Sequence, residues 1–246
     1  NRFNTGDGNG QSLMPVISAN GKAVVFISRS TDLTLLPDQN NIMDLYWRDL
    51  ELGETRLVTI DSAKSGAAFN QSAPYTSPFH LQRTFLSADG RYVVFVSEQT
   101  NLPTAIPSFG LDTYWHDVQT TNTVRLTQGT SIGGYNATDP ALSADGRLVA
   151  FQAAGSLWMR DMFSGTVTLV SKDRFGGTSY GYIPIMTPDG RYILFASRDP
   201  NLVANSDTNL IWDLYRRDTV SGTTDLISVD QNGAAAGVDS SVVPSY

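Results

Sequence analysis

Oxygen-bearing side chains recur at one spacing: Asp38-x-Asn40-x-x-x-Asp44 is repeated as Asp207-x-Asn209-x-x-x-Asp213. A hard cation such as Ca²⁺ takes several oxygen ligands from a short loop, and Asp and Asn at alternate positions supply them. Asp38, Asn40, Asp44, Asp207, Asn209 and Asp213 are therefore candidate calcium ligands, and Ca²⁺ is the one cofactor the sequence suggests. The same side chains could instead hold their loops by bonding backbone groups. The Gly and bidentate Glu that complete an EF-hand loop are missing.

Nucleophilic chemistry finds less support. Gly129-Thr130-Ser131-Ile132-Gly133 has the Gly-x-Ser-x-Gly pattern, but that elbow needs a strand before it, a helix after it and a histidine within reach. A Gly and a Pro-led strand follow here, and His80 and His116 are the only histidines. No catalytic residue is assigned. Asp49, Asp117, Asp161 and Asp218 also invite an acid–base reading, yet they recur at one position of every copy of a repeat. A residue demanded in each copy serves the copy, here by bonding backbone at a turn. Paired carboxylates for glycoside cleavage stay open, with no spacing that singles out a pair. Asn70-Gln71-Ser72 and Asn136-Ala137-Thr138 match the glycosylation sequon.

The element that positions all of these is the repeat. Ser18-Ala-Asn-Gly-Lys-Ala-Val-Val-Phe26, Ser87-Ala-Asp-Gly-Arg-Tyr-Val-Val-Phe95, Ser143-Ala-Asp-Gly-Arg-Leu-Val-Ala-Phe151 and Thr187-Pro-Asp-Gly-Arg-Tyr-Ile-Leu-Phe195 align without gaps. Asn-Gly or Asp-Gly between apolar runs is a strong hairpin signal, because Gly accepts the positive φ of the turn. Each copy continues through Asp44–Asp49, Asp112–Asp117, Ser156–Asp161 or Asp213–Asp218 and then Leu57, Leu126, Leu169 or Leu226. One unit thus holds four short strands, A to D. Strand B is apolar without alternation, as expected of a strand covered on both faces.

Four-stranded sheets repeated face to face predict an all-β fold, a β-propeller of four-stranded antiparallel blades. The blades fall at about 11–60, 72–127, 138–171 and 182–229, with 238–246 starting a further one, in a single domain or segment. Copy three has lost most of its B to C connection, which predicts a trimmed blade. Phe26, Phe95, Phe151 and Phe195 form one core column; Tyr46, Tyr114, Trp158 and Tyr215 form another.

The Ser-x-Asp-Gly-Arg-x-x-x-Phe and Asp-x-Tyr-x-x-Asp segments resemble the TolB-like, WD-repeat-like propeller repeats of bacterial secreted and periplasmic proteins. The resemblance implies an extracytoplasmic bacterial location. It also implies a parent ring of six to eight blades, of which this chain would be an arc completed by another chain or further blades. It says little about function, since propellers serve as scaffolds, binding platforms and enzymes.

Seventeen Lys and Arg against 24 Asp and Glu give a net charge of −7, without long blocks of either sign. That argues against nucleic-acid binding and polybasic membrane contact. Cysteine is absent, which removes disulfides, thiolate metal sites and a cysteine nucleophile. No apolar run is long enough to span a membrane.

The A–B and C–D turns are short and alike in all copies, so variation falls on the B–C and D–A connections, where binding surfaces concentrate. Phe79, His80, Phe109, Tyr135, Phe175, Tyr180 and Tyr182 mark that rim, with an aromatic content suited to protein or polysaccharide contact. The function expected is a non-catalytic scaffold or binding platform. The alternative is a propeller enzyme acting on carbohydrate, or the gating propeller of a peptidase.

Overall fold

The computed structural model describes residues 6–40, 42–68, 84–104, 110–204 and 211–229. These form sixteen strands in four antiparallel sheets, each with its strands in sequence order, and no helix. Blade 1 holds β1 (Ser12–Ile17), β2 (Ala23–Ser28), β3 (Asp44–Asp49) and β4 (Thr55–Leu57). Blade 2 holds β5 (Phe85–Leu86), β6 (Tyr92–Ser97), β7 (Asp112–Asp117) and β8 (Asn122–Arg125). Blade 3 runs through β9 (Thr138–Leu142), β10 (Leu148–Ala153), β11 (Ser156–Asp161) and β12 (Val167–Leu169). Blade 4 runs through β13 (Tyr182–Met186), β14 (Tyr192–Ser197), β15 (Asp213–Asp218) and β16 (Thr224–Leu226).

The chain divides into two compact units, residues 1–138 with 144–146, and residues 139–143 with 147–246. In the first, Ala23, Val25, Ile27, Leu45 and Trp47 of blade 1 pack on Val93, Phe95 and Tyr114 of blade 2. In the second, Ala150 and Leu157 of blade 3 pack on Ile193, Phe195 and Tyr215 of blade 4. Within each unit, residues of strands B and C that face forward from the first blade thus meet the backward-facing Phe and Tyr column of the second. The strands B of blades 2 and 3 are buried on both faces, as their lack of alternation requires, whereas those of blades 1 and 4 each leave one face partly open. Within each full blade the two columns stack, Phe26 on Tyr46, Phe95 on Tyr114 and Phe195 on Tyr215, at 5.6–5.9 Å.

Blade 3 is trimmed as its sequence predicts. Ala153 pairs with Ser156, leaving a two-residue turn in which Ala154 and Gly155 both have positive φ, +52° and +78°. That is the type I′ geometry of tight hairpins. A feature invisible in the repeat pattern is a kink in strand A. Met14, Asp139 and Ile183, each just before a proline, have φ of +50° to +54°. In blades 1 and 4 the strand register slips there, as at a β-bulge.

Candidate functional site

The four strand-C aspartates are tied into their own blades. Asp49 Oδ1 accepts the N–H groups of Glu51 and Leu52, Asp161 Oδ1 those of Phe163 and Ser164, and Asp218 Oδ1 those of Val220 and Ser221. Asp117 accepts from the Gln119 N–H and the Thr120 hydroxyl. This is the turn-holding role that their periodicity predicts. The second half of the clamp is not visible in the repeat pattern: the Arg of Asp-Gly-Arg reaches the same aspartate. Arg91 pairs with Asp117 at 2.8 Å, Arg147 with Asp161 at 2.6 Å and Arg191 with Asp218 at 3.0 Å. In copy one Lys22 bonds Glu51 instead, at 3.0 Å. The Arg147 and Arg191 guanidinium groups, with turn N–H donors, hold Asp161 below the usual carboxylate range and Asp218 at about 2.

The Asp38, Asn40 and Asp44 set is brought together by hydrogen bonds. Tyr46 donates to Asp38 Oδ2 at 2.7 Å. The Asn40 amide donates to Asp44 Oδ2 and to the Ala68 carbonyl, both at 2.7 Å, and Thr59 donates to Asp44 Oδ1 at 2.6 Å. Both carboxylates are buried, and burial raises Asp38 and lifts Asp44 to about 7. Asp38 Oδ1 is enclosed without a hydrogen-bond partner. At the position matching Asp44, blade 2 has Asp112, which Arg125 neutralises at 3.2 Å in a buried ion pair. The residue paired with the strand-C tyrosine is Leu57 in blade 1 and Arg125 in blade 2, so backbone pairing matches Leu57 with Arg125 rather than with Leu126 as the sequence suggests, and blade 1 has a second carboxylate nearby. Asp213 starts β15 and accepts from Ser228, while Asp207 and Asn209 lie outside the described residues.

His116 is buried and its Nδ1 lies 2.8 Å from Thr123 Oγ1. Arg48 and Arg217 occupy the same place in blades 1 and 4 and donate to Thr55 and Thr224. Burial holds the imidazole down at about 4, so it is neutral and structural. The Gly129–Gly133 segment forms turns, and the Arg125 guanidinium donates to the Gly133 carbonyl at 2.7 Å.

Of the rim aromatics, Phe79, His80 and Phe109 lie outside the described residues. Tyr135, Phe175 and Tyr180 stand on D–A connections with 55%, 75% and 63% of their surface exposed. Tyr182 opens β13 and packs edge-on against Trp212, at 5.0 Å between ring centroids. Phe175 sits with Lys172, Arg174, Leu202, Arg217 and Thr224 around a groove of about 550 Å³. The Arg174 guanidinium lies 4.7 Å from the Phe175 ring centroid, a cation–π contact. Asp173 also lines the groove, and its Oδ1 is engaged by the N–H groups of Phe175 and Gly177. A local excess of cations in an acidic chain is what composition averages conceal.

Four four-stranded antiparallel sheets with repeated turn clamps define a β-propeller architecture, and the solved structures similar to this chain are β-propellers. No family model matches the sequence, and no curated protein matches it. Dipeptidyl peptidase 4 from Porphyromonas gingivalis aligns over 92% of this chain and 34% of its own, at 13% identity and TM-score 0.51. The oligogalacturonate lyase from Vibrio parahaemolyticus aligns over 98% and 61%, at 14% identity and TM-score 0.50. TolB from Acinetobacter baumannii aligns over 88% and 43%, at 16% identity and TM-score 0.45. The chain thus spans less than two thirds of each of these proteins. At such identities the likeness to the peptidase and the lyase establishes the fold alone.

Proposed function

We propose that this chain is a non-catalytic, extracytoplasmic propeller segment that acts as a binding platform for protein or polysaccharide through its B–C and D–A connections. The observation that carries this reading is the division of labour among its polar groups. The aspartates that recur in every copy are committed to turns, while exposed aromatics and the cations Lys172 and Arg174 gather on a D–A connection beside a groove. Aromatic faces with flanking cations suit sugar rings bearing carboxylates and acidic protein segments. Titration with acidic and neutral oligosaccharides and with an acidic peptide tests it. Binding that falls at least tenfold in Phe175→Ala and Lys172→Ala/Arg174→Ala supports the platform; binding indifferent to both variants moves it off this connection.

The enzymatic alternative draws on one neighbour that is a lyase of oligogalacturonate and another that is a peptidase. Incubation with oligogalacturonate, followed by ultraviolet absorbance of unsaturated products, decides the first case. Product formation would overturn the non-catalytic reading.

We also propose Ca²⁺ at Asp38 and Asp44. The unpartnered Asp38 oxygen and the contrast with the Arg125-neutralised Asp112 support a cation there. A rise in melting midpoint with millimolar Ca²⁺, lost in Asp38→Asn, is the expected result.

A further inference from the structure

The A–B turn glycines have a second role beyond their φ. A Cβ placed on Gly90 would lie 2.5 Å from Ala23 Cβ of blade 1, and one on Gly146 would lie 2.1 Å from Tyr92 Cδ2 of blade 2. On Gly190 it would lie 2.4 Å from Leu148 Cδ1 of blade 3. Ala23, Tyr92 and Leu148 hold the same position, the first residue of strand B. Each of these turns is therefore seated on the strand B that precedes it, too closely for any side chain. A tryptophan of strand C locks two of them: Trp47 donates to the Gly90 carbonyl at 2.7 Å and Trp115 to the Gly146 carbonyl at 2.8 Å.

Both halves of this joint occur once more, each without a counterpart among the described residues of its own unit. Gly21 has the same turn conformation, φ +71°, and none of the described residues comes within 4 Å of its Cβ position. Val24 and Phe26 behind it are half-buried, whereas Val93, Phe95, Val149, Phe151, Ile193 and Phe195 are fully buried. On blade 4 the seat is Tyr192, and the forward face around it is open: Leu194 is 39% and Leu214 52% exposed. The matching Val25 and Leu45 of blade 1 are 0% and 1% exposed. Arg216 stands in the tryptophan column, over the Tyr192 ring at 4.9 Å, and a guanidinium has donors to spare after its bond to Asp225.

We propose that the forward face of blade 4 is a docking surface for a second copy of this chain, which presents the Asn20-Gly21 turn and the Ile17, Val24 and Phe26 face of its blade 1. Gly21 seats on Tyr192 as Gly146 seats on Tyr92. Arg216 takes the tryptophan's part and donates to the Gly21 carbonyl. The partner is identified by continuity: the two joints within the first unit use these same positions, and this chain carries both missing halves. The contact is head-to-tail, with different surfaces on the two copies.

Sedimentation velocity over a wide concentration range tests the proposal. Two or more copies per particle are expected. Gly21→Asn keeps the turn, because Asn tolerates positive φ, but adds a Cβ that a seated turn excludes. Leu194→Asp/Leu214→Asp alters side chains that are already exposed. Each variant is expected to be a folded monomer by circular dichroism, and an equimolar mixture is expected to form a heterodimer, since each retains the half the other lost. A monomeric wild-type chain overturns the proposal. So does assembly that survives either variant, and a mixture that stays monomeric overturns the head-to-tail pairing.

Discussion

The Asn20-Gly21 turn and the three Asp-Gly turns are one hairpin in two situations. All four glycines have φ between +71° and +82°, so the local backbone demand is the same. Gly90, Gly146 and Gly190 are packed against a preceding strand B, and none of the described residues crowds the Cβ position of Gly21. The difference teaches that a repeated glycine can answer two separate requirements, and that only the surroundings tell which operate.

The strongest test substitutes Asn, which satisfies φ and fails only on space. Gly146→Asn drives a Cβ into the Tyr92 ring and is expected to cost about 3 kcal/mol, read from urea unfolding. Gly190→Asn costs less, because its obstacle is the end of the flexible Leu148 side chain. Gly21→Asn is expected to change chain stability by less than about 0.5 kcal/mol. Equal losses at Gly21 and Gly146 would abolish the distinction.

The C–D clamps beside these turns come next in size. Asp161→Ala removes the acceptor of two turn N–H groups and the Arg147 partner, and is expected to cost about 1–2 kcal/mol. Because Asp161 and Asp218 titrate below their unfolded values, the clamps contribute fully above the ordinary aspartate pKa near 4 and are lost as pH falls below it. Asp44 has the opposite sign. Its folded pKa of about 7 lies above the unfolded one, so its contribution is present at low pH and fades as pH rises towards 7. His116, held near 4, favours the fold increasingly as pH rises through the same interval. Asp44→Asn should therefore make stability climb more steeply with pH between about 4 and 7. An unchanged slope in chemical melts would show that Asp44 titrates normally.

The smallest effect is a gain. Ala154 occupies the left-handed region in the blade 3 hairpin, where Asn is favoured. Ala154→Asn is expected to add about 0.5–1 kcal/mol, visible as a raised melting midpoint.

Much of this was legible in the chain. Four copies of one segment, each with a Gly after Asn or Asn-like Asp, fix the hairpins, because only a few residues accept positive φ. Non-alternating strands B require cover on both faces, and the missing connection after Phe151 requires a two-residue turn. These follow from local backbone sterics and hydrophobic period, which act over a few residues. Reading Asp49, Asp117, Asp161 and Asp218 as blade residues needed only their periodicity.

Tertiary structure decided what depends on neighbours distant in sequence. Arg91, Arg147 and Arg191 meet Asp117, Asp161 and Asp218 only when strands B and C pair, and Lys22 shows that the pattern alone does not name the partner. Asp44 and Asp112 are identical in sequence position, yet Asp112 is neutralised by Arg125 whereas Asp44 has the carboxylate of Asp38 as its charged neighbour among the described residues. Their difference is set by desolvation and by charges brought in from other strands. Tyr182, grouped by type with the loop aromatics, belongs to strand A, where its backbone pairs with Ala196 and its ring packs on Trp212. Burial, charge pairing and close approach are properties of assembled surfaces, which is why the repeat foretold the blades and left their joints to the fold.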